Sequence, residues 1–186
     1  MRNTDYPYDH SRVYAIWQAY RQNNAPPENT VALDPVIFAS WERCKGYFSY
    51  TTLSSTPPSS EIAPLLSTDL QDELLAVGLP YLEDIHQCIE GAASAVILTN
   101  NHGVVIGIEG EPTTINTVHK IGVAMEENWL ESRVGTNAVG LSLITAMPTQ
   151  VVGAEHYMQI FHNYGTSATT PIKLPLTSWI GAALVP

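Results

Sequence analysis

The chain has 186 residues and is 45% hydrophobic, enough for one sizeable core and too little for two full domains. Its 18 Asp and Glu against 8 Lys and Arg leave a formal charge of -10 with no basic cluster, which disfavours direct contact with DNA or RNA, whose phosphates are bound by cations. Cys44 and Cys88 stand far apart and outside any CxxC pair, no apolar run approaches the roughly 20 residues of a bilayer span, and residues 1–7 lack the apolar centre of a signal peptide. Reduced thiols in a cytoplasmic protein with no membrane segment are expected.

Two helices open the chain. From Ser11 to Arg21 the residues Val13, Ile16, Trp17 and Tyr20 recur at spacings of three and four and share a face. The second helix follows Asp34-Pro35, a cap and a first-turn proline, and carries Val36, Ile37, Trp41 and Cys44 up to Lys45-Gly46. Ser49 to Ser60 is polar, proline-bearing and aperiodic, so it reads as a connector. These features divide the chain into an N-terminal helical extension with its connector, 1–60, and a main domain, 61–186.

From Thr68 a third helical pattern begins, with Gln71 at capping-box spacing and a stripe of Leu70, Leu74, Val77, Tyr81, Ile85 and Ile89. That stripe is first a core face and secondarily a dimer seam. Gly78 and Pro80 should bend or split the helix. Ala95 to Thr99 and Val104 to Ile108 then form a β-hairpin across the turn Asn100-Asn101-His102-Gly103. Helices follow through Ile115, Val118, His119 and Val123, and from Ala138 to Ile144. Gln150 to Val152 is a strand, Glu155 to Phe161 a short helix, and Ala168 to Ile172 and Ile180 to Val185 are two further strands. One tight hairpin and an irregular alternation of elements favour an α+β fold, an antiparallel sheet flanked by helices.

Several segments match a known pattern in order. Ser40-Trp41-Glu42-Arg43-Cys44 is similar to an S-W-x-R-C signature, and the hairpin from Val96 to Val105 to a "vvLtD-x-x-G-vvl" pattern. Trp129 to Gly140 is similar to W-x-E-x-x-x-G-T-N-A-I-G, Gly153-Ala154-Glu155-His156-Tyr157 to G-x-E-H-[FY], and Thr170-Pro171-Ile172 to an a-a-P-I strand. From Val36 to the C-terminus the chain thus resembles the N-terminal sensor domain of sigma-54-dependent transcriptional activators, in the acetoin-catabolism and dihydroxyacetone-kinase regulator group. The resemblance implies a GAF-like fold with a pocket on one side of the sheet, and ATPase and helix-turn-helix domains elsewhere. No Walker A motif occurs here. Asn100 replaces the acid usual in the hairpin turn, and Ser167 or a neighbour replaces a cysteine usual before the a-a-P-I strand, which tells against thiol-based sensing.

Gly135-Thr136-Asn137 before an apolar helix supplies a turn, a capping hydroxyl and free N–H groups, suited either to plain capping or to a ligand oxygen. Trp129 and Glu131 offer an aromatic wall and a carboxylate to the same place, or fill the core and hold the turn. Glu155-His156 invites an acid–base reading, but adjacent helical side chains do not face one another, and His102, His119, His156 and His162 show no metal spacing. Trp129, Glu131, Gly135, Thr136, Asn137, Glu155 and His156 are therefore the candidate ligand-binding residues, with no catalytic residue, metal or cofactor expected.

The expected function is sensing of a small-molecule effector, such as a short alcohol, ketone or diol, by a homodimer that passes the signal through its flanking helices to other domains. The alternative is an interaction module with a vestigial pocket that binds a partner protein. Thiol catalysis of the methionine-sulfoxide-reductase kind is disfavoured, because both cysteines precede the sheet on helices.

Overall fold

The computed structural model describes residues 8–23, 33–48, 68–163, 166–173 and 179–185, with the backbone alone for 68–70, 166, 173 and 179–185. The expected connector from Ser49 to Ser60 and the capping role of Thr68 lie outside what is described. Helices α1 (His10–Asn23), α2 (Pro35–Cys44) and α3 (Thr68–Cys88) precede the hairpin β1 (Ala95–Thr99) and β2 (Val105–Gly110). Helices α4 (Pro112–His119), α5 (Glu131–Val134) and α6 (Ala138–Thr145) follow. After them come β3 (Thr149–Val152), two 3-10 turns (Gly153–Glu155 and Gln159–Phe161), β4 (Thr166–Lys173) and β5 (Trp179–Val185). The strands form one five-stranded sheet in the order β2-β1-β5-β4-β3, every pair antiparallel, as the α+β reading expects.

Strand β1 is buried along its whole length, which is why it reads as an unbroken apolar run. Ala95 and Ile97 join the larger of two cores, shared with Val13, Trp17 and Tyr20 of α1, Ile37 and Trp41 of α2, Leu141 of α6, and Tyr157 and Phe161 beyond β3. Val96 and Leu98 point to the other face and meet Leu74 and Leu82 of α3. The hairpin turn is built by Asn100, whose Oδ1 accepts from the N–H groups of His102 (2.9 Å) and Val104 (3.0 Å). An aspartate there would serve the same two donors, so the acceptor oxygen is retained in this chain. Gly103 sits in the left-handed region at φ 71°.

Two expectations are corrected and a third, that Gly78 and Pro80 bend or split the helix, is narrowed. Helix α3 is continuous through both residues, so it is not split there. Leu74 and Leu82 anchor it on both sides of the proline, and Gly78 lies directly over Leu98, so packing outweighs one missing backbone bond. The stripe read as its core face is mostly solvent-facing, with Val77, Tyr81 and Ile85 exposed. The helix from Glu155 to Phe161 is replaced by the two 3-10 turns, which place Ala154, Tyr157, Met158 and Phe161 inside together.

Candidate functional site

The segment from Trp129 to Gly140 folds as one turn of helix, a sharp reversal and a second helix start. Gly135 ends α5 at φ 75°, a conformation that L side chains rarely adopt, and a Cβ there would lie 3.1 Å from both Met158 and Tyr157. Asn137 is the N-cap of α6. Its Oδ1 accepts from Gly140 N–H at 2.9 Å, and its Nδ2 donates to the Gly135 carbonyl at 2.8 Å. Gly140 must be small because a Cβ would fall 2.9 Å from the backbone nitrogen of Glu131. The spacing of the motif thus encodes a close crossing of α5 and α6.

Thr136 is fully buried and links three elements. Its hydroxyl lies 2.7 Å from Ser40 Oγ and 3.5 Å from Cys44 Sγ on α2, and its carbonyl accepts from His156 Nδ1 at 3.0 Å. Glu131, 4% exposed, receives the Arg43 guanidinium on both oxygens, Nε to Oε2 at 2.7 Å and Nη2 to Oε1 at 2.9 Å, and also the Ser40 hydroxyl. The bond to Glu131 raises the Arg43 pKa above its ordinary value. Glu155 Oε2 accepts from Val152 N–H at 2.8 Å and closes its own 3-10 turn. Indoles staple the surroundings: Trp41 donates to the Glu155 carbonyl (2.7 Å), Trp17 to that of Tyr157 (3.0 Å) and Trp129 to that of Gly122 (3.2 Å).

Burial pushes His156 down to about 4, so at neutral pH it is an uncharged ring whose Nδ1–H is donated to Thr136. His162, also lowered by burial, donates from Nε2 to the His156 carbonyl at 3.0 Å. Cys44 is raised to about 11 by burial, so it is a thiol rather than a nucleophilic thiolate, and Cys88 is exposed on α3. Among the described residues no group of three or more His, Cys, Asp and Glu is placed to hold a metal ion.

The candidate residues are therefore brought together. Trp129, Glu131, Thr136, Asn137, Glu155 and His156 are all buried, Gly135 lies between them, and each of the six makes a side-chain hydrogen bond within the protein. Their partners Ser40 and Arg43 were missed as site residues, although Ser40, Arg43 and Cys44 sit three and four apart on one helical face. A separate open groove of about 170 Å³ lies at the far end of the α2–α6 pair, lined by Asp34, Val36, Ile37, Thr145, Met147, Pro148, Thr149 and Gln150. No sequence signal marked it, because its two walls are about a hundred positions apart in the chain. No helix among the described residues is long and apolar enough to cross a membrane.

Comparison with known proteins places this architecture. The fold is similar to that in the crystal structure of the Escherichia coli DhaR(N)–DhaL complex, with a TM-score of 0.70 at 19% identity, covering 82% of this chain and 52% of that one. The acetoin dehydrogenase operon transcriptional activator AcoR of Bacillus subtilis is 30% identical over 140 residues, which cover 71% of this chain and 22% of AcoR. The PTS-dependent dihydroxyacetone kinase operon regulatory protein of Escherichia coli is 21% identical over 137 residues, 74% of this chain and 21% of that protein. The chain thus spans about a fifth of these regulators. Residues 19–184 match the family described as the N-terminal domain of MimR, and the chain belongs to that family.

Proposed function

We propose that this chain is the input domain of a transcriptional regulator, with a GAF-type fold, and that its input is a partner protein read on its surface. The observation that supports this reading is that the side chains of the signature motif bond within the protein. Glu131 and Thr136 bond to α2, Asn137 to α6, and His156 to the Thr136 carbonyl in the turn between α5 and α6, while apolar side chains stand exposed elsewhere. In this reading the motif is a joint that holds α2 to the α5–α6 crossing, so a push on one helix is carried to the other. The solved complex of DhaR(N) with DhaL is a precedent for a protein partner on a similar fold. The proposal also places ATPase and DNA-binding domains, in the sigma-54-dependent manner, outside this chain. It includes a homodimer in the cytoplasm and no catalysis.

The second reading is the small effector, bound by Trp129, Glu131, Gly135, Thr136, Asn137, Glu155 and His156. Their meeting in one buried network favours it. A ligand would have to replace an existing internal bond, and it shifts the protein only by its unequal affinity for the two states. The test is a titration with short alcohols, ketones and diols, followed by Trp fluorescence and thermal melting, in the wild type and in Asn137→Ala. The partner reading expects no saturable response in either. A saturable response in the wild type that Asn137→Ala abolishes establishes the effector reading instead.

A further inference from the structure

The groove at the far end of the α2–α6 pair has a chemistry of its own. Its volume is about 170 Å³, and its apolar wall is Val36 and Ile37 of α2 with Met147 and Pro148 after α6. Ile37 belongs to the core, whereas Val36 is 42% and Met147 56% exposed, so the wall runs from the core out to solvent. At about 30 Å³ for each water-sized group, the space holds an alkyl stem of about four carbons and a head group.

The polar side chains around that wall are acceptors. Asp34 is half-buried at the start of α2, and its Oδ1 takes the Val36 N–H at 2.8 Å. That is one of about four acceptor positions on a carboxylate, and no ion pair of Asp34 occurs among the described residues. Thr145 and Thr149 are half-buried, and each donates its hydroxyl hydrogen inside the chain, to the Leu141 carbonyl at 2.8 Å and the Met147 carbonyl at 3.0 Å. Their oxygens are left to accept. Helix α6 ends at Thr145, and the last carbonyls of a helix gather its partial negative charge. No Lys, Arg or His lines the cleft, and the uncharged amide of Gln150 is the one lining side chain that still has hydrogens to donate.

We propose that this cleft binds a primary alkylammonium group. The cation donates to the Asp34 carboxylate and the threonine oxygens, and its alkyl stem lies on Val36 and Met147. A formal charge of -10 on the chain draws such a cation in. The site is separate from the motif around Asn137 and goes beyond the protein-input reading. One chemistry has two sources here, a free short amine or the lysine side chain of a bound polypeptide, since both carry an ammonium on a short run of methylenes.

The ligands are n-butylammonium, n-butanol and butyrate, matched in length and titrated into the whole chain at neutral pH and constant ionic strength, with amide resonances followed by NMR. n-Butylammonium is expected to saturate with a Kd of about 1–10 mM, within reach of so small a ligand, and to shift the amides of Val36, Thr145 and Gln150. n-Butanol is expected to bind at least about tenfold more weakly, and butyrate not at all. Asp34→Asn keeps an oxygen for the Val36 N–H and removes the charge, so it should weaken n-butylammonium about tenfold; Met147→Ser, at an exposed position, should weaken it as well. Thermal melts check that both variants are folded. A blocked tripeptide with a central Lys, and its norleucine counterpart, separate the sources. Tighter binding of the Lys tripeptide than of n-butylammonium assigns the site to the lysine of a polypeptide, and the reverse order to a free amine.

Equal affinity of the wild type for n-butylammonium and n-butanol overturns the proposal. So does a folded Asp34→Asn that binds n-butylammonium as tightly as the wild type, or the absence of any saturable shift at the cleft amides with either cation up to about 100 mM.

Discussion

The two faces of the sheet are built on different principles. On one, α1, α2, α5 and α6 enclose a core in which even Thr136 and Asn137 are buried and hydrogen-bonded. On the other, α3 buries Leu74 and Leu82 in a small cluster, with Leu75 packed against it, and leaves Val77, Tyr81 and Ile85 exposed. The closed face is a rigid joint, because moving any member strands a buried polar group at a cost of about 1–3 kcal/mol. The open face has no such penalty, and contiguous exposed apolar surface marks a place of contact. A domain that must hold its shape and still be read by something else needs both.

The largest expected contrast comes from glycine. Gly140→Val drives side-chain atoms into the Glu131 backbone, whose nitrogen is 2.9 Å from the nearest possible Cβ, and should cost about 3 kcal/mol in urea denaturation. Gly107→Ala on the α3 side meets the ends of Leu79 and Leu82 at 3.2 and 3.4 Å, which can yield, and should cost under about 1 kcal/mol. Equal losses would mean that the two faces are equally tight.

Acid should loosen the closed face next. His156 is held at about 4 when folded, against about 6.5 when unfolded, so between these values the unfolded chain binds the extra proton. Stability therefore falls as pH drops through that window, by up to about 3 kcal/mol from this group, and His162 acts in the same direction. Denaturation curves across the window should show the slope, and His156→Gln, which keeps a donor for Thr136, should flatten it. A slope unchanged in that variant would assign the acid response elsewhere.

The smallest effect belongs to the open face. Tyr81→Ser should change the stability of the isolated chain by less than about 0.5 kcal/mol, since an exposed ring is already paid for in water. A loss of several times that size in thermal or urea melts would show that Tyr81 is packed rather than exposed.

Local elements were readable where the physics is local. The Asp34-Pro35 start of α2 is confirmed by Asp34 Oδ1 accepting from Val36 N–H at 2.8 Å, and the hairpin turn by the bonds of Asn100. A cap at this turn was one of two readings, but the capping hydroxyl expected there, that of Thr136, bonds to α2, and the amide of Asn137 caps the helix through Gly140 N–H instead. Less legible was α3. Periodicity identified a helix with an apolar stripe but could not say which flank met the sheet, because Gly78, counted as a breaker, is what lets the helix approach Leu98. The 3-10 turns after β3 were read as a helix because apolar spacing over a few residues does not distinguish one long turn from two short ones.

What the order of residues determined alone is the set of short-range devices: caps, the hairpin, the left-handed glycines, and a motif whose spacing dictates a tight helix crossing. Tertiary structure decided which groups complete them. Ser40 meets Thr136 and Arg43 meets Glu131 across about ninety residues, and Trp41 reaches Glu155 across more than a hundred. Periodicity carries no information over such distances, since a side chain's helical face is set by its neighbours in sequence, whereas its partner is set by how the whole chain closes around the sheet.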